Sequence, residues 1–462
     1  MKPNRRQFLA SAASAAAAFT IVPRHVLGGP GFVAPSEMIN VALIGAGGRA
    51  IQNMRELFKE QDCRITSVAD PVEHIDLSGF FYKGEAGRVP VVAEIEKKYG
   101  EATPGFKCAA YEDFRELLDN EKDLDAILCS TPDHSHACVS VPAMKMGKHV
   151  YCEKPLTHNV WEARLMAETA KQTGVATQMG NQGHSSEGTR KVVEWLQAGA
   201  IGPVREVHAW ASTSRWNKTL AGPPPSEPVP KGVNWDLWIG PREMRDYSSA
   251  YHPVSWRDFW DFGAGTLGDF GCHDLDGAFW ALDLSAPKSI ESRVAGYTDS
   301  QITPHGELIF YEFGPRGDMP PLTVTWYGGG LKPETPKDWP AGETLPNRGT
   351  LYVGDKGMLF AAGAGGEPRL FGKPDAEFER PEPSIPRSKG HYRDWLDACK
   401  GGEKAGSHFE YGAKLTELAL LGVASMRLGK RIEWDAAAMK ATNLPEANAI
   451  LKESYRAGWE IG

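Results

Sequence analysis

Short, uninterrupted apolar runs alternate with stretches of helical spacing in residues 35–180. Runs of this kind are typical of parallel strands that are buried on both faces. The pattern predicts strands at residues 41–44, 65–69, 126–129, 149–152 and 175–179, and helices at residues 91–99, 111–118 and 159–173. Because strands alternate with helices, this part of the chain is predicted to be an α/β domain with a doubly wound parallel sheet.

Beyond residue 290 the apolar positions alternate with polar ones, which is typical of strands in a second sheet. Such strands are predicted at residues 307–312, 322–326 and 349–353, and helices at residues 391–399 and 415–428. The stretches 222–230, 328–344 and 365–388 are rich in Gly or Pro and are predicted to be loops. The length supports two domains, which we place at residues 35–180 and 181–462.

The first predicted strand leads directly into glycines. Gly45, Gly47 and Ala50 have the G-x-G-x-x-A spacing of a dinucleotide-binding turn. Gly45 permits a tight turn, Gly47 lets the backbone approach a pyrophosphate, and the helix that follows directs unpaired N–H groups at the phosphates. The alternative is a glycine-rich chain reversal without a ligand.

An acidic residue follows the second predicted strand. Asp70 comes 23 residues after Gly47, close to the spacing expected for the carboxylate that binds an adenosine ribose. A carboxylate repels a 2′-phosphate, so NAD is favoured over NADP as the cofactor. The alternative is an ordinary strand-ending turn at Asp70 and Pro71.

The N-terminus resembles a twin-arginine signal peptide. Residues 4–9 read NRRQFL, and an alanine-rich, weakly apolar stretch follows to about residue 22. The stretch is too short and too rich in alanine for a membrane span. We therefore expect residues 1–34 to direct export of the folded protein to the periplasm. A disordered N-terminal tail is the alternative.

Charge and cysteine content narrow the function classes. Without residues 1–34 the chain keeps 47 Lys and Arg against 59 Asp and Glu, a formal charge of −12. This balance argues against a nucleic-acid partner.

The seven cysteines show no CxxC pair, so we expect buried thiols rather than a disulfide scaffold. His134 and His136 share a loop but lack a cluster of further ligands, so no metal is predicted.

Residues 125–156 read DAILCSTPDHSHACVSVPAMKMGKHVYCEKPL. With the upstream GAGGRA turn and Asp70, they resemble the glucose-fructose oxidoreductase, inositol dehydrogenase and MocA family. The resemblance implies a Rossmann domain followed by an α/β domain with an open, largely antiparallel sheet, whose faces carry the substrate site and often an oligomer contact. It also implies a cis Lys154–Pro155 bond and a Lys154 that reaches nicotinamide ribose and substrate hydroxyls. A strand-ending surface lysine is the alternative.

The stretch 265–276 matches the family's G-x-L-x-D-x-G-x-H-x-x-D pattern. Asp269 and His273 are four apart, so on a helix they share one face. The resemblance implies that His273 exchanges a proton with the reacting hydroxyl and that Asp269 binds or orients the substrate. An imidazole oriented by a carboxylate is a suitable general base. Without the resemblance, a structural hydrogen bond between the two is the alternative.

Further candidate substrate-binding residues follow from their position in the predicted fold. Asn181, Gln182 and His184 are predicted near the domain junction, where they could bind a polyol or cap a loop. Aromatic residues concentrate between residues 235 and 280, where one or two are expected to contact a sugar ring beside Arg257.

The candidate catalytic residues are Lys154, His273 and Asp269. The candidate cofactor-binding residues are Gly45, Gly47, Gly48, Arg49, Asp70, Thr131, His136 and Glu153. The candidate substrate-binding residues are Asn181, Arg257 and Trp256.

These observations predict an exported, NAD-dependent oxidoreductase that acts on a carbohydrate or cyclitol, with a homo-oligomer expected. One alternative within the family is a glycosidase that oxidises and re-reduces its substrate with the same NAD. A second alternative is a non-catalytic binding protein on the same fold.

Overall fold

The computed structural model describes residues 33–337, 339–372 and 377–462. The predicted signal peptide lies outside these residues, apart from its last two positions. Within the described residues, no helix combines the length and apolar character that a bilayer crossing needs.

The first domain is built on a six-stranded sheet. Its strands lie in the order β5-β2-β1-β6-β7-β8, and every neighbouring pair is parallel. The strands are β1 (Ile39–Ile44), β2 (Cys63–Ala69), β5 (Ala109–Tyr111), β6 (Ala126–Cys129), β7 (His149–Cys152) and β8 (Thr177–Met179). A separate hairpin pairs β3 (Ile75–Asp76) with β4 (Glu85–Ala86). The predicted doubly wound parallel sheet is confirmed.

Helices cover both faces of this sheet. They are α1 (Gly48–Leu57), α2 (Arg88–Gly100), α3 (Phe114–Asn120), α4 (His136–Lys145) and α5 (Val160–Thr173). Helix α5 begins where predicted, because the Asn159 side chain accepts a hydrogen bond from the Glu162 N–H in a capping box.

One prediction in this domain is wrong. Tyr111 does not belong to a helix but pairs with Ala69 as the last residue of β5. The Asp113 side chain caps α3 by accepting a hydrogen bond from the Arg115 N–H. The helix therefore begins at Phe114, after a strand too short to show its own pattern.

The second domain contains a nine-stranded sheet in the order β15-β14-β13-β9-β12-β11-β10-β16-β17. Its pairs are antiparallel except for β12 with β9. The strands are β9 (Val204–Ala211), β10 (Ser289–Ala295), β11 (Gly306–Phe313), β12 (Leu322–Gly328), β13 (Arg348–Gly354), β14 (Met358–Ala362), β15 (Pro368–Phe371), β16 (Ile432–Asp435) and β17 (Lys440–Ala441). The open, largely antiparallel sheet is as expected, although β15 lies inside a predicted loop.

The remaining helices join the two sheets. They are α6 (Glu187–Gln197), α7 (Trp235–Ile239), α8 (Gly265–Asp274), α9 (Asp276–Ala281), α10 (His391–Cys399), α11 (Phe409–Leu428) and α12 (Ala447–Leu451). Helix α11 is buried along nearly its whole length and packs against α5, α8 and β10. One hydrophobic core therefore continues from the first domain into the second.

Helix α10 lies late in the chain but packs on the nucleotide-binding sheet. Trp395 is fully buried in a second hydrophobic core, on this sheet. Its ring centroid lies 5.6 Å from that of Tyr151. The Tyr392 hydroxyl donates a hydrogen bond of 2.6 Å to Asn53 Oδ1 on α1. The core of the first domain thus includes side chains from residues 391–399, which follow most of the second domain in the sequence.

All seven cysteines are free, and six of them are buried. The expectation of buried thiols is confirmed for those six, while Cys399 is partly exposed.

Replacing Trp395 by Ala tests the role of α10. We expect Trp395→Ala to lower the free energy of unfolding by about 3–5 kcal/mol, because a large core side chain is lost. Urea unfolding followed by circular dichroism measures this change. Leu331→Ala is the control, since Leu331 is 38% exposed. A loss below about 1 kcal/mol for Trp395→Ala would show that α10 is dispensable for the domain.

Candidate active site

A cavity of about 590 Å³ runs between the two domains. The glycine-rich turn after β1 lines one end of it, together with Asp70. Lys154, Asp269 and His273 line the other end. Residues predicted separately as cofactor-binding and catalytic therefore share one cavity.

The glycine-rich turn leaves room for a ligand. Gly45 has a φ of +90°, and a Cβ there would lie 2.8 Å from the Ser130 carbonyl oxygen, so only glycine fits. A Cβ on Gly47 would meet no atom within 4 Å, which leaves its outer side open. Gly48 is the first residue of α1, whose N-terminal N–H groups are suited to hold a phosphate.

Asp70 lies at the carboxyl end of β2, as predicted. Its Oδ2 accepts a hydrogen bond of 2.5 Å from the Ala46 N–H, and its Oδ1 accepts one of 2.7 Å from the Val72 N–H. Burial raises the pKa of Asp70 to about 6, although both N–H donors oppose the shift. The carboxylate shapes the glycine-rich turn and faces the cavity where a ribose would lie.

Arg49 and Glu153 form an ion pair beside this end of the cavity. Arg49 Nε donates to Glu153 Oε1 at 2.9 Å, and the same oxygen accepts a bond from Asn53 Nδ2 at 2.9 Å. The Glu153 side chain is only 7% exposed. Glu153 therefore holds Arg49 and helix α1 in place. It also lines the cavity, and its contact with the cofactor stays a prediction.

His136 lines the cavity, although its ring is only 1% exposed. Its Nδ1 and Nε2 face the carbonyl oxygens of Pro155 and Thr131 at 2.8 and 3.0 Å. His136 therefore links these two loops. Thr131 also lines the cavity, and the cofactor contacts of both residues stay predictions.

A buried group with metal-ligand spacing includes this histidine. Ligand atoms of Cys129, His136 and Cys152 lie within 4.8 Å of one another. Because both ring nitrogens already face carbonyl oxygens, His136 would have to give up one of them to bind a metal. The expectation that no metal is used stays a prediction.

A short ion pair occupies the catalytic end of the cavity. Lys154 Nζ donates hydrogen bonds of 2.7 Å to Oδ1 and to the backbone oxygen of Asp269. Arg257 Nε lies 3.4 Å from the same Oδ1. Burial alone would raise the pKa of Asp269, but the charges of Lys154 and Arg257 outweigh it and hold that pKa below its ordinary value. The Lys154–Pro155 peptide bond is cis, as the resemblance implied.

His273 lies one turn after Asp269 on α8, but no hydrogen bond joins the two. The predicted orientation of His273 by Asp269 is therefore corrected: Asp269 bonds the Lys154 ammonium instead. His273 Nδ1 is buried without a partner among the described residues. Burial, followed by the charges of Lys154 and Arg348, lowers the pKa of His273 well below its ordinary value. The imidazole is thus neutral at pH 7 and able to accept a proton.

Arg348 is a site residue that the sequence did not reveal. It begins β13 in the second sheet, and its Nε donates a hydrogen bond of 2.6 Å to Asp274 Oδ2. Its guanidinium lies 4.8 Å from the ring centroid of Phe270, and both residues line the cavity. No motif surrounds Arg348, so only its position in the folded chain identifies it.

Aromatic rings form one wall of the cavity. The Arg257 guanidinium lies 4.2 Å from the ring centroid of Trp256 and 5.7 Å from that of Trp216. Trp238 also lines the cavity, while Trp235 belongs to the neighbouring aromatic core. Arg257 and Trp256 line the cavity, and their contact with a substrate stays a prediction. Trp216 also lines it and was missed.

Asn181 does not line the cavity. Its Nδ2 donates to Asp276 Oδ2 at 3.2 Å, and its Oδ1 accepts a hydrogen bond of 2.6 Å from Ser407 Oγ. The predicted substrate contact of Asn181 is therefore corrected, because both ends of the amide are bonded within the protein. His184 likewise lies 3.0 Å from Asp276 through Nδ1 and stacks on Trp280. These residues anchor the loop after β8.

Two family models match this chain. Residues 39–181 match the NAD-binding Rossmann fold of an oxidoreductase family, and residues 188–303 match the C-terminal α/β domain of that family. The chain belongs to the glucose-fructose oxidoreductase, inositol dehydrogenase and MocA family, and its first domain is an NAD-binding Rossmann domain. The open glycine-rich turn and Asp70 fit the adenosine and pyrophosphate of NAD.

Individual relatives are distant. The chain is 27% identical to levoglucosan dehydrogenase of Pseudarthrobacter phenanthrenivorans over 39% of this chain and 38% of the relative. It is 28% identical to glycosyl hydrolase family 109 protein 1 of Shewanella sp. strain ANA-3 over 37% of each. Each alignment thus spans less than half of the relative's own length.

Among solved structures, the fold is similar to the WlbA dehydrogenase from Bordetella pertussis in complex with NADH and UDP-GlcNAcA. The TM-score is 0.57 at 14% identity, covering 86% of this chain and 99% of that one. At this identity the similarity concerns the fold alone.

We expect NAD binding to depend on the protonation of Asp70. A carboxylate accepts hydrogen bonds from ribose hydroxyls, and its protonation removes that capacity. Because the pKa of Asp70 is raised to about 6, we expect NADH affinity to be constant above pH 7. It should then fall by up to about tenfold per unit below pH 6. Fluorescence titration of NADH measures this dependence.

Asp70→Asn is the matched variant for this measurement. We expect it to bind NADH more weakly at pH 8 and to lose the fall in affinity below pH 6. If Asp70→Asn keeps the pH dependence of the native protein, the titrating group is a different one.

Proposed function

We propose that this protein is an NAD-dependent oxidoreductase that transfers hydride between a ring carbon of a carbohydrate or cyclitol and nicotinamide. The observation that carries the proposal is the meeting of Lys154, Asp269 and His273 at one end of the cavity whose other end is the dinucleotide-binding turn. When bound, NAD would supply the hydride acceptor or donor.

The proton that leaves the substrate hydroxyl needs an acceptor. His273 has that role in this proposal, because its lowered pKa keeps the imidazole neutral at physiological pH. Lys154 stabilises negative charge that develops on the hydroxyl oxygen, since its ammonium lies at the same end of the cavity. Asp269 fixes the Lys154 ammonium through the 2.7 Å bond.

The wall of the cavity favours a sugar-like substrate. Trp256 and Trp216 line the cavity, and the Arg257 guanidinium lies over the ring of each, with its Nε 3.4 Å from Asp269 Oδ1. Arg257 and Arg348 add hydrogen-bond donors that suit hydroxyl or carboxylate oxygens. These features support a polyhydroxylated ring as the substrate class.

Replacing His273 or Lys154 separates chemistry from cofactor binding. We expect His273→Asn and Lys154→Met each to lower kcat by about 100- to 10,000-fold, because a proton acceptor or a positive charge is removed. The Kd for NADH should stay within about twofold of the native value for His273→Asn. For Lys154→Met it should rise by no more than about tenfold, because the resemblance implies a contact of Lys154 with the nicotinamide ribose. Steady-state kinetics and NADH titration measure the two quantities.

His208→Asn is the matched control. His208 lies on β9, outside the cavity lining, and bonds the Tyr327 hydroxyl at 3.0 Å. Its replacement should change kcat by no more than about twofold. Full activity in both His273→Asn and Lys154→Met would overturn the assigned roles.

A panel of sugars, cyclitols and glycosides distinguishes the proposed oxidoreductase from a glycosidase with recycled NAD. The second function is kept because a family 109 glycosyl hydrolase is among the relatives. A lasting rise in nicotinamide absorbance with one substrate class supports the oxidoreductase. Product without a lasting absorbance change supports recycled NAD. No product and no absorbance change with any compound would favour a non-catalytic binding protein.

We also propose that the protein is exported folded by the twin-arginine route and forms a homo-oligomer. The NRRQFL sequence at residues 4–9 supports export. The family resemblance supports an oligomer formed through the open second sheet. Cell fractionation with an Arg5→Lys, Arg6→Lys variant tests export, and light scattering of the purified protein tests the oligomeric state.

A further inference from the structure

The connection between β2 and α2 is unusually long. It runs from residue 70 to residue 87, whereas about 2–6 residues join a strand to a helix in most α/β units. Residues 75–86, which contain the β3–β4 hairpin, are called the flap below.

The flap has a fastened base. The Gly87 N–H donates a hydrogen bond of 2.9 Å to the Ala46 carbonyl oxygen in the dinucleotide-binding turn. Just before the flap, the Glu73 N–H donates one of 2.7 Å to the Gly232 carbonyl oxygen, and Val72 pairs with Val233. The base is therefore held between the cofactor turn and a loop of the second domain.

The tip of the flap lies at the start of helix α1. A Cβ built on Gly48 would lie 2.2 Å from Tyr82 Cγ, so the Tyr82 ring rests directly on the Gly48 backbone. A pyrophosphate would bind at this helix N-terminus. Tyr82 thus flanks the expected position of the phosphates, and Gly48 is a glycine because the ring leaves no space for a side chain.

Tyr82 lines the same cavity as Arg257. Within the described residues, no group hydrogen-bonds the Tyr82 hydroxyl. Tyr82 therefore offers the cavity a free hydroxyl beside the helix N-terminus where the phosphates would bind.

Phe81 adds an apolar surface. Its side chain lines the cavity and yet is 72% exposed, and its ring meets that of Tyr82 edge to face at 5.5 Å. Covering an exposed aromatic ring with a ligand is favourable because apolar surface leaves water. Ile75 and Leu77 continue the cavity wall toward the flap base.

We propose that the flap closes over the pyrophosphate region of bound NAD, with Tyr82 and Phe81 as its contacts, and thereby slows NAD release. This inference rests on the proposed use of NAD. It is also suited to an exported enzyme, which would have to carry its cofactor away from the cytoplasmic pool. The consequence is a cofactor that stays bound over many turnovers.

The dissociation rate of NADH tests the proposal. Native protein and variants are loaded with NADH, and the loss of bound-NADH fluorescence is followed after mixing with excess NAD. We expect Tyr82→Ala to raise the rate about tenfold, because a ring contact and a hydroxyl donor are both lost. Tyr82→Phe should fall between this variant and the native protein. Phe81→Ala should raise the rate about threefold.

Tyr297→Ala is the matched control. Tyr297 is 39% exposed, lies outside the cavity lining and bonds Asp299. Its replacement should leave the rate within about twofold of the native value. Phe81→Ala removes an exposed ring, so it remains informative even if Tyr82→Ala does not fold.

The outcomes separate the two proposals. If the native protein binds NADH but neither Tyr82→Ala nor Phe81→Ala releases it more than about twofold faster, the flap proposal is overturned and the proposed function stands. If the native protein neither contains nor binds NADH, the proposed function is overturned, and the flap proposal falls with it.

Discussion

The ion pair between Lys154 and Asp269 is the interaction on which the rest of the cavity depends. Lys154 follows β7 of the first sheet, Asp269 lies on α8 of the second domain, and their side chains are only 12% and 14% exposed. The desolvation of both charges offsets much of their attraction, so the pair fixes the relative position of Lys154 and Asp269 more than it adds stability. It joins the two domains at the point where the dinucleotide and the substrate would meet.

The same ion pair sets the electrostatics of the proposed chemistry. Lys154 and Arg257 keep Asp269 ionised, and Lys154 together with Arg348 disfavours the charged form of His273. A neutral imidazole near an ammonium is suited to accept a proton while the cation stabilises the oxygen that loses it. The packing of α11 against α5, α8 and β10 supports this arrangement, because it joins both domains through one core.

The parts of the fold that the sequence predicted are those with strong local patterns. The strands at residues 126–129 and 149–152 agree with β6 and β7, because strands buried on both faces are apolar throughout. Tyr111 was misplaced because β5 is only three residues long and is defined by pairing with Ala69. Asn181 was misread as a ligand because its partners, Asp276 and Ser407, are distant in the chain.

The sequence by itself determined the dinucleotide-binding turn, Asp70 and the helix that carries Asp269 and His273, since each follows from apolar runs and residue spacing along the chain. Lys154 was identified through the family resemblance of residues 125–156. Only the tertiary structure decided which groups bond each other. The four-residue spacing permits a bond from His273 to Asp269, but the Lys154 ammonium forms the stronger, charge-assisted bond. Arg348 and Tyr82 reach the cavity from a distant strand and from a long loop, and local sequence carries no information on such contacts.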